Sequence, residues 1–166
     1  MDLNFYSFIK FALPISERMV QRGTGRIVII GDPMVTQSTI PGMAPYACSK
    51  WALEALAMQM RTELSAHNIK VHYFLPQQMS TNFLHKQKQQ YPLVTKETVK
   101  NWRATDAEYM AKRLLSGISM NEFIIGGSKT ITCMATLKAQ YKLMYNIFFA
   151  PFAICIRKYE DMRVND

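Results

Sequence analysis

Tyr46 and Lys50 are the residues whose types and spacing most readily suggest chemistry. Side chains four apart on a helix share one face, with Cβ atoms about 5–6 Å from each other. A phenol is a poor acid or base near neutral pH, because its reference pKa is about 10. A neighbouring ammonium favours the phenolate and lowers that value, which suits the pair to proton transfer. A helix N-terminus at Tyr46 would add positive potential. The spacing alone is common, and a surface tyrosine beside a solvated lysine would explain it equally well. Metal chemistry has little support. His67, His72 and His85 share no ligand spacing, and Cys48, Cys133 and Cys155 form no CxxC or Cys/His cluster. Cysteines so scattered and odd in number support no disulfide framework either, so a reducing compartment is the default.

The elements that must position the pair are legible around it. Phe5, Phe8, Ile9, Ala12 and Leu13 recur at helical spacing, predicting a helix from Phe5 to about Arg22 that Gly23-Thr24-Gly25 stops. Pro14 within it predicts a kink or a broken turn. Arg26 to Ile30 is an apolar, β-branched run of the kind found in central parallel strands. Asp32 to Pro45 reads as loop. A long helix from about Ala47 to Ala66 follows, closed by His67-Asn68 with Asn68 able to take the left-handed cap. Lys70 to Leu75 predicts a second strand, ended by Pro76. Residues 77–104 read as polar, irregular and mobile. Thr105-Asp106-Ala107-Glu108 is a capping box opening a helix to about Ser116, and Asn121 to Gly127 suggests a third short strand. Thr130 to Arg157 reads as helical. This alternation predicts one α/β domain with a parallel sheet of about three strands, over residues 1–142, followed by an apolar and basic tail over 143–166.

The chain has 166 residues and a formal charge of +8, unevenly spread. Residues 1–83 carry 7 Lys+Arg against 5 Asp+Glu, and residues 84–166 carry 13 against 7, an excess of +6 in the second half. That excess is not a dense run with interleaved aromatics, so nucleic acid is not an expected partner. The N-terminal residues do not read as a signal peptide. The apolar stretch Leu143–Ile156 is broken by Asn146 and Pro151 and ends at Arg157-Lys158. It is shorter than the roughly 20 apolar residues a spanning helix needs. Two readings stay open for it: an amphipathic anchor at a membrane surface, or a helix covered by the protein or a partner.

Taken together, Tyr46-Ala47-Cys48-Ser49-Lys50, Gly25-Arg26-Ile27-Val28 and Leu75-Pro76-Gln77-Gln78-Met79-Ser80-Thr81 resemble the short-chain dehydrogenase/reductase superfamily. The first is similar to its Y-x-x-S-K motif, the second to its preceding strand, the third to its P-G-x-V-x-T segment. The resemblance implies a Rossmann-like fold of which this chain is the C-terminal half. It implies that Tyr46 protonates a substrate carbonyl, while Lys50 lowers the Tyr46 pKa and binds the nicotinamide ribose. It places Thr81 on the nicotinamide carboxamide and Asn4 on a relay water. Within the superfamily, the Asn4–Val28 and Thr105–Leu115 stretches and the tail ending in Ile156-Arg157-Lys158 are most similar to 3-ketodihydrosphingosine reductases. That similarity implies NADPH-dependent reduction of a long-chain keto-sphingoid base at the cytosolic face of the endoplasmic reticulum membrane.

Three departures from the pattern bear on activity. The family's catalytic serine should lie thirteen or fourteen residues before Tyr46, where Pro33 and Asp32 stand. Proline has no side-chain donor, and an ionised Asp32 would repel a developing oxyanion; Thr36 or Ser38 are substitutes from the loop. Gln77 stands where a small residue lets the backbone approach the cofactor. No glycine-rich turn follows an N-terminal strand to hold a pyrophosphate. Without a neighbour the Arg26–Ile30 strand would be an exposed apolar edge. A second polypeptide could supply the other half, or the edge could pair in a homodimer. The nearness of Met1 to Asn4 favours a third reading, a truncated product. Two functional readings follow. One is a ketone reductase; the other, favoured for the isolated chain, is a catalytically inactive fragment or pseudoenzyme. Residues 86–100 read as either a lid over the substrate or a solvated loop.

Overall fold

The computed structural model describes residues 1–38 and 40–141. They fall into two compact units, Met1–Thr132 and Cys133–Asp166. The first holds three parallel strands in the order β1 (Gly25–Ile30), β2 (Ile69–Leu75), β3 (Ile124–Gly126). This is the α/β parallel sheet expected from the sequence. The described part of the second unit, residues 133–141, is helical. The Leu143–Ile156 tail lies outside the described residues. Among the described residues, no helix is long and apolar enough to cross a membrane.

A π-helical turn at Asp2–Tyr6 leads into α1 (Ser7–Arg22). The helix runs without a break through Pro14, so the broken turn is not found. Gly23 ends it at φ 71, donating to Val20 O at 3.1 Å while Thr24 donates to Met19 O at 3.3 Å. Only glycine adopts that left-handed cap without strain. β1 then pairs with β2 from Gly25↔Ile69 to Ile30↔Phe74, and β2 pairs with β3 from Tyr73↔Ile124 to Leu75↔Gly126. The central β2 is buried at every residue but Lys70. That burial covers both faces, and His72 is enclosed along with the apolar residues.

Successive β2 side chains point to opposite faces. Phe74 packs with Met110 and Ile125, against Val28, Met79, Leu114 and Ile118, which places α6 (Ala107–Ser119) on that face. Tyr73 turns to the other face, where its hydroxyl approaches Glu54 of α3 (Ala44–Ser65) at 3.5 Å. Leu53, Ala57 and Met60 are the buried apolar stripe of α3. Asn68 takes the left-handed conformation after α3, at φ 57, as its residue type suggests.

Two segments are more ordered than the sequence reading allows. The Asp32–Pro45 loop contains a one-turn helix, α2 (Pro33–Thr36), and α3 begins at Ala44, before the expected Ala47. Pro33 and Pro45 both sit in first turns, where a missing N–H costs no intrahelical bond. Residues 77–104 are not irregular. They fold into α4 (Asn82–Gln90) and α5 (Leu93–Val99). The Gln and Lys that made the stretch look like loop are good helix formers. Thr81 caps α4 by accepting the Leu84 N–H at 3.3 Å, and Tyr91, Thr95 and Val99 turn inward to be buried. The third strand is shorter than expected, Ile124–Gly126 rather than Asn121–Gly127.

Candidate active site

The C-terminal end of β1 delivers Asp32 to the first turn of α3, where Tyr46 stands. Asp32 Oδ1 accepts the Met34 N–H at 2.8 Å, capping α2, and its Oδ2 accepts the Tyr46 hydroxyl at 2.6 Å. Lys50 lies one turn further along α3 on the same face, with Nζ 5.8 Å from the centre of the Tyr46 ring. It donates to Ile30 O at 3.2 Å, at the end of β1. An ammonium has three N–H donors, so it can serve further acceptors. The stacking predicted from the four-residue spacing is therefore present.

Asn4 reaches the same helix from the π-helical turn. Its amide donates to Ser49 Oγ at 3.1 Å, and Ser49 Oγ donates to Tyr46 O at 2.7 Å. Asn4 thus braces the helix that carries the pair, through a serine that is almost completely buried. Thr81 sits apart in the bonding network as the cap of α4. Neither proposed serine substitute is aimed at Tyr46: Thr36 Oγ1 donates to Asp32 O at 2.8 Å and Ser38 Oγ donates to Met34 O. Gln77 turns its bulk onto Thr105, whose hydroxyl lies 3.3 Å from Gln77 Oε1.

An apolar cluster backs Tyr46. Val35, Ile40, Met43, Tyr91 and Val99 form one buried cluster, with Met34, Tyr46 and Ala47 packed against it. Trp51 Nε1 donates to Val35 O at 2.9 Å, tying α2 to α3. Thr95 Oγ1 donates to Pro41 O at 2.7 Å, fixing α5 over the loop that precedes Tyr46. Sequence reasoning did not single out Ser49 or Tyr91 as site residues. A lone tyrosine before Pro92, in a run of Gln and Lys, was the available signal for Tyr91.

The electrostatics run against the simple expectation for Tyr46. Its pKa is raised, first by burial and then by the Asp32 carboxylate beside it. Lys50 is lowered by burial, with Asp32 opposing that shift. Tyr91 is raised by burial and by Asp32, and Tyr73 by burial and by Glu54. A phenol with a raised folded pKa contributes stability that is fully present below its unfolded value and is lost as pH climbs toward the folded one. Three such tyrosines predict a steep loss of stability above about pH 10. Lys50 opposes the loss, since a lowered lysine adds stability as pH rises toward its unfolded value. Urea unfolding at pH 8 and pH 11 measures the net slope, and Tyr46→Phe should flatten it. A profile level to pH 11 would refute the burial of these hydroxyls.

Residues 1–92 match the short chain dehydrogenase family profile, which is more than half of the chain. The chain belongs to that family. The chain is 30% identical over 105 residues to the 3-ketodihydrosphingosine reductase TSC10 of Cryptococcus neoformans var. neoformans serotype D, covering 63% of this chain and 31% of that protein. It is 38% identical over 80 residues to the uncharacterized oxidoreductase YbbO of Escherichia coli K12, covering 48% and 29%. It thus spans about a third of the length of these relatives. Among solved structures, a short-chain dehydrogenase from Sphingobium yanoikuyae in complex with NADPH superposes with a TM-score of 0.69 at 24% identity, over 87% of this chain and 54% of that one. At that identity the likeness concerns the fold. Tyr46 and Lys50 both lie within the matched residues 1–92.

The fit of a dinucleotide cofactor to these residues is uneven. Lys50 has donors to spare for a ribose diol, and the Thr81 hydroxyl, which accepts from Leu84, still has its own proton to give. Gly126 ends β3 and Gly127 follows it, ahead of a helix, but they are not a phosphate cradle. A Cβ at Gly126 would lie 2.5 Å from Thr132 N, and one at Gly127 would lie 2.7 Å from Gln77 N. These glycines permit close packing of one backbone segment on another.

Proposed function

We propose that this chain carries the proton-transfer half of an NADPH-dependent ketone reductase, with a long-chain 3-keto-sphingoid base as its substrate. The observation that carries the reading is the stacking of Tyr46 and Lys50 on one helix at the C-terminal end of β1, with Asn4 bonded to that helix through Ser49, in a chain of this family. Bound dihydronicotinamide would supply hydride to the carbonyl carbon. Tyr46 would give its proton to the carbonyl oxygen, and Lys50 would hold the ribose and favour the phenolate as it forms. Thr81 would orient the carboxamide, and Asn4 would hold a water that restores the Tyr46 proton. Partial similarity to 3-ketodihydrosphingosine reductase supports the sphingoid class. We place the reaction at the cytosolic face of the endoplasmic reticulum, with the 143–166 tail at the membrane surface. The phosphate end of NADPH requires residues beyond those described, from a longer chain or a second copy.

One observation favours a second reading. The Tyr46 hydroxyl is already held by a carboxylate at 2.6 Å, where the family pattern has a serine hydroxyl. A chain that keeps the pair without turnover would look like this. NADPH consumption with 3-ketodihydrosphingosine, by wild type and by Tyr46→Phe, decides between them. Consumption that depends on Tyr46 supports the reductase, and consumption absent or indifferent to Tyr46 supports the silent reading.

A further inference from the structure

Asp32 has a role that neither the family pattern nor the reductase reading assigns. Its two carboxylate oxygens do different work: Oδ1 takes the Met34 N–H and Oδ2 takes the Tyr46 proton. The Tyr46 ring cannot turn away easily, since it packs against the cluster of Val35, Ile40, Met43, Tyr91 and Val99. Other ionisable groups face Asp32 from each packed element: Lys50 from α3, Tyr73 from β2, and Tyr91 at the end of α4. Three of the four facing groups are phenols and one is a cation that donates to Ile30 O. If Tyr46 gave up its proton, a phenolate would lie 2.6 Å from a carboxylate oxygen. Two anions at that separation repel, so each disfavours ionisation of the other.

We propose that Asp32 is a positioning residue that latches Tyr46 in a proton-retaining state, and that neutralising Asp32 converts the site to one able to give up that proton. The proposal rests on the reductase reading for its effect on turnover, but the latch itself does not. A hydrogen bond given to Asp32 is one withheld from a substrate carbonyl. A serine in its place would leave the Tyr46 proton free and add a neutral donor of its own.

The test uses two variants that keep the α2 cap, because asparagine and serine both cap helices well. Tyrosines labelled with ¹³C at Cζ are titrated by NMR, with Tyr46→Phe assigning the Tyr46 signal. In Asp32→Asn the Tyr46 signal should titrate about 1–3 pH units lower than in wild type. A purely structural aspartate would leave that midpoint unmoved, and an unmoved midpoint in a folded variant overturns the proposal. In parallel, NADPH-dependent reduction of 3-ketodihydrosphingosine is followed in Asp32→Ser. A rise of tenfold or more supports the latch as a brake on turnover, given that one such donor is worth about 10²–10³. A lowered midpoint with every variant inactive upholds the latch and removes the reductase reading.

Discussion

On the proposed reductase reading, Tyr46→Phe is expected to lower ketone reduction by about 10²–10⁴-fold, the usual range for loss of a positioned proton donor. The substitution removes one oxygen and leaves the ring against Met43, Tyr91 and their neighbours, so substrate affinity should change little. A fall in kcat with KM held is the signature of an interaction made only in the transition state. The fold should survive. Asp32 loses its Tyr46 partner but keeps the Met34 N–H, so the cost is at most the about 1.5–3 kcal/mol of a hydrogen bond to a charged group. Circular dichroism melting checks that limit, and steady-state kinetics checks the activity. Turnover equal to wild type would mean that the proton comes from elsewhere.

Gly31→Ala should be the most damaging single methyl in the site. A Cβ there would lie 2.3 Å from the Tyr73 hydroxyl and 2.4 Å from Tyr73 Cζ. Tyr73 is only 2% exposed and has Glu54 at its hydroxyl, so the ring has nowhere to retreat. Gly31 cannot retreat either, because its N–H is bonded to Phe74 O at 2.8 Å. Overpacking of this kind costs about 1–3 kcal/mol. In a domain of this size that is a fall in Tm of roughly 2–12 °C. Asp32 is the next residue, so the Tyr46 contact should loosen with it. Calorimetry reads the first effect, and the Tyr46 NMR signal reads the second. Adding Tyr73→Phe should restore part of the loss by removing the nearest clashing atom. A variant that melts with wild type would show that β1 and Tyr73 are less tightly joined than these distances require.

How much of this was legible beforehand divides along physical lines. β1 was readable because its continuous β-branched run, Ile27 to Ile30, has few other fates. The Tyr46–Lys50 stacking was readable because helical periodicity fixes it. The α4–α5 segment was misread because, among the described residues, its helices are held by burial of the scattered Leu84, Tyr91, Thr95 and Val99, a weak signal in a polar run. The Asp32 contact was half visible. Its charge marked a departure from the family's serine, but an effect on an oxyanion was inferred where a bond to Tyr46 is found. Which of two neighbours a carboxylate chooses depends on the α2 cap, and a four-residue helix leaves almost no periodic trace. The Leu143–Ile156 tail falls outside the described residues.

The parallel pairing of β1 with β2 has a consequence for how the site comes into being. Parallel neighbours are never joined by a tight turn, so all of α3 must lie between them. Tyr46 and Lys50 are set by a local helix, which forms early and cheaply in folding. Asp32 is set by β1, whose pairing with β2 must close across all of α2 and α3, a non-local contact of the kind that assembles slowly. A chain caught part-way would present Tyr46 and Lys50 correctly spaced, with no carboxylate yet against the phenol. The tyrosine's acidity is therefore a property of the completed sheet, and its titration reports on tertiary closure where helix content cannot.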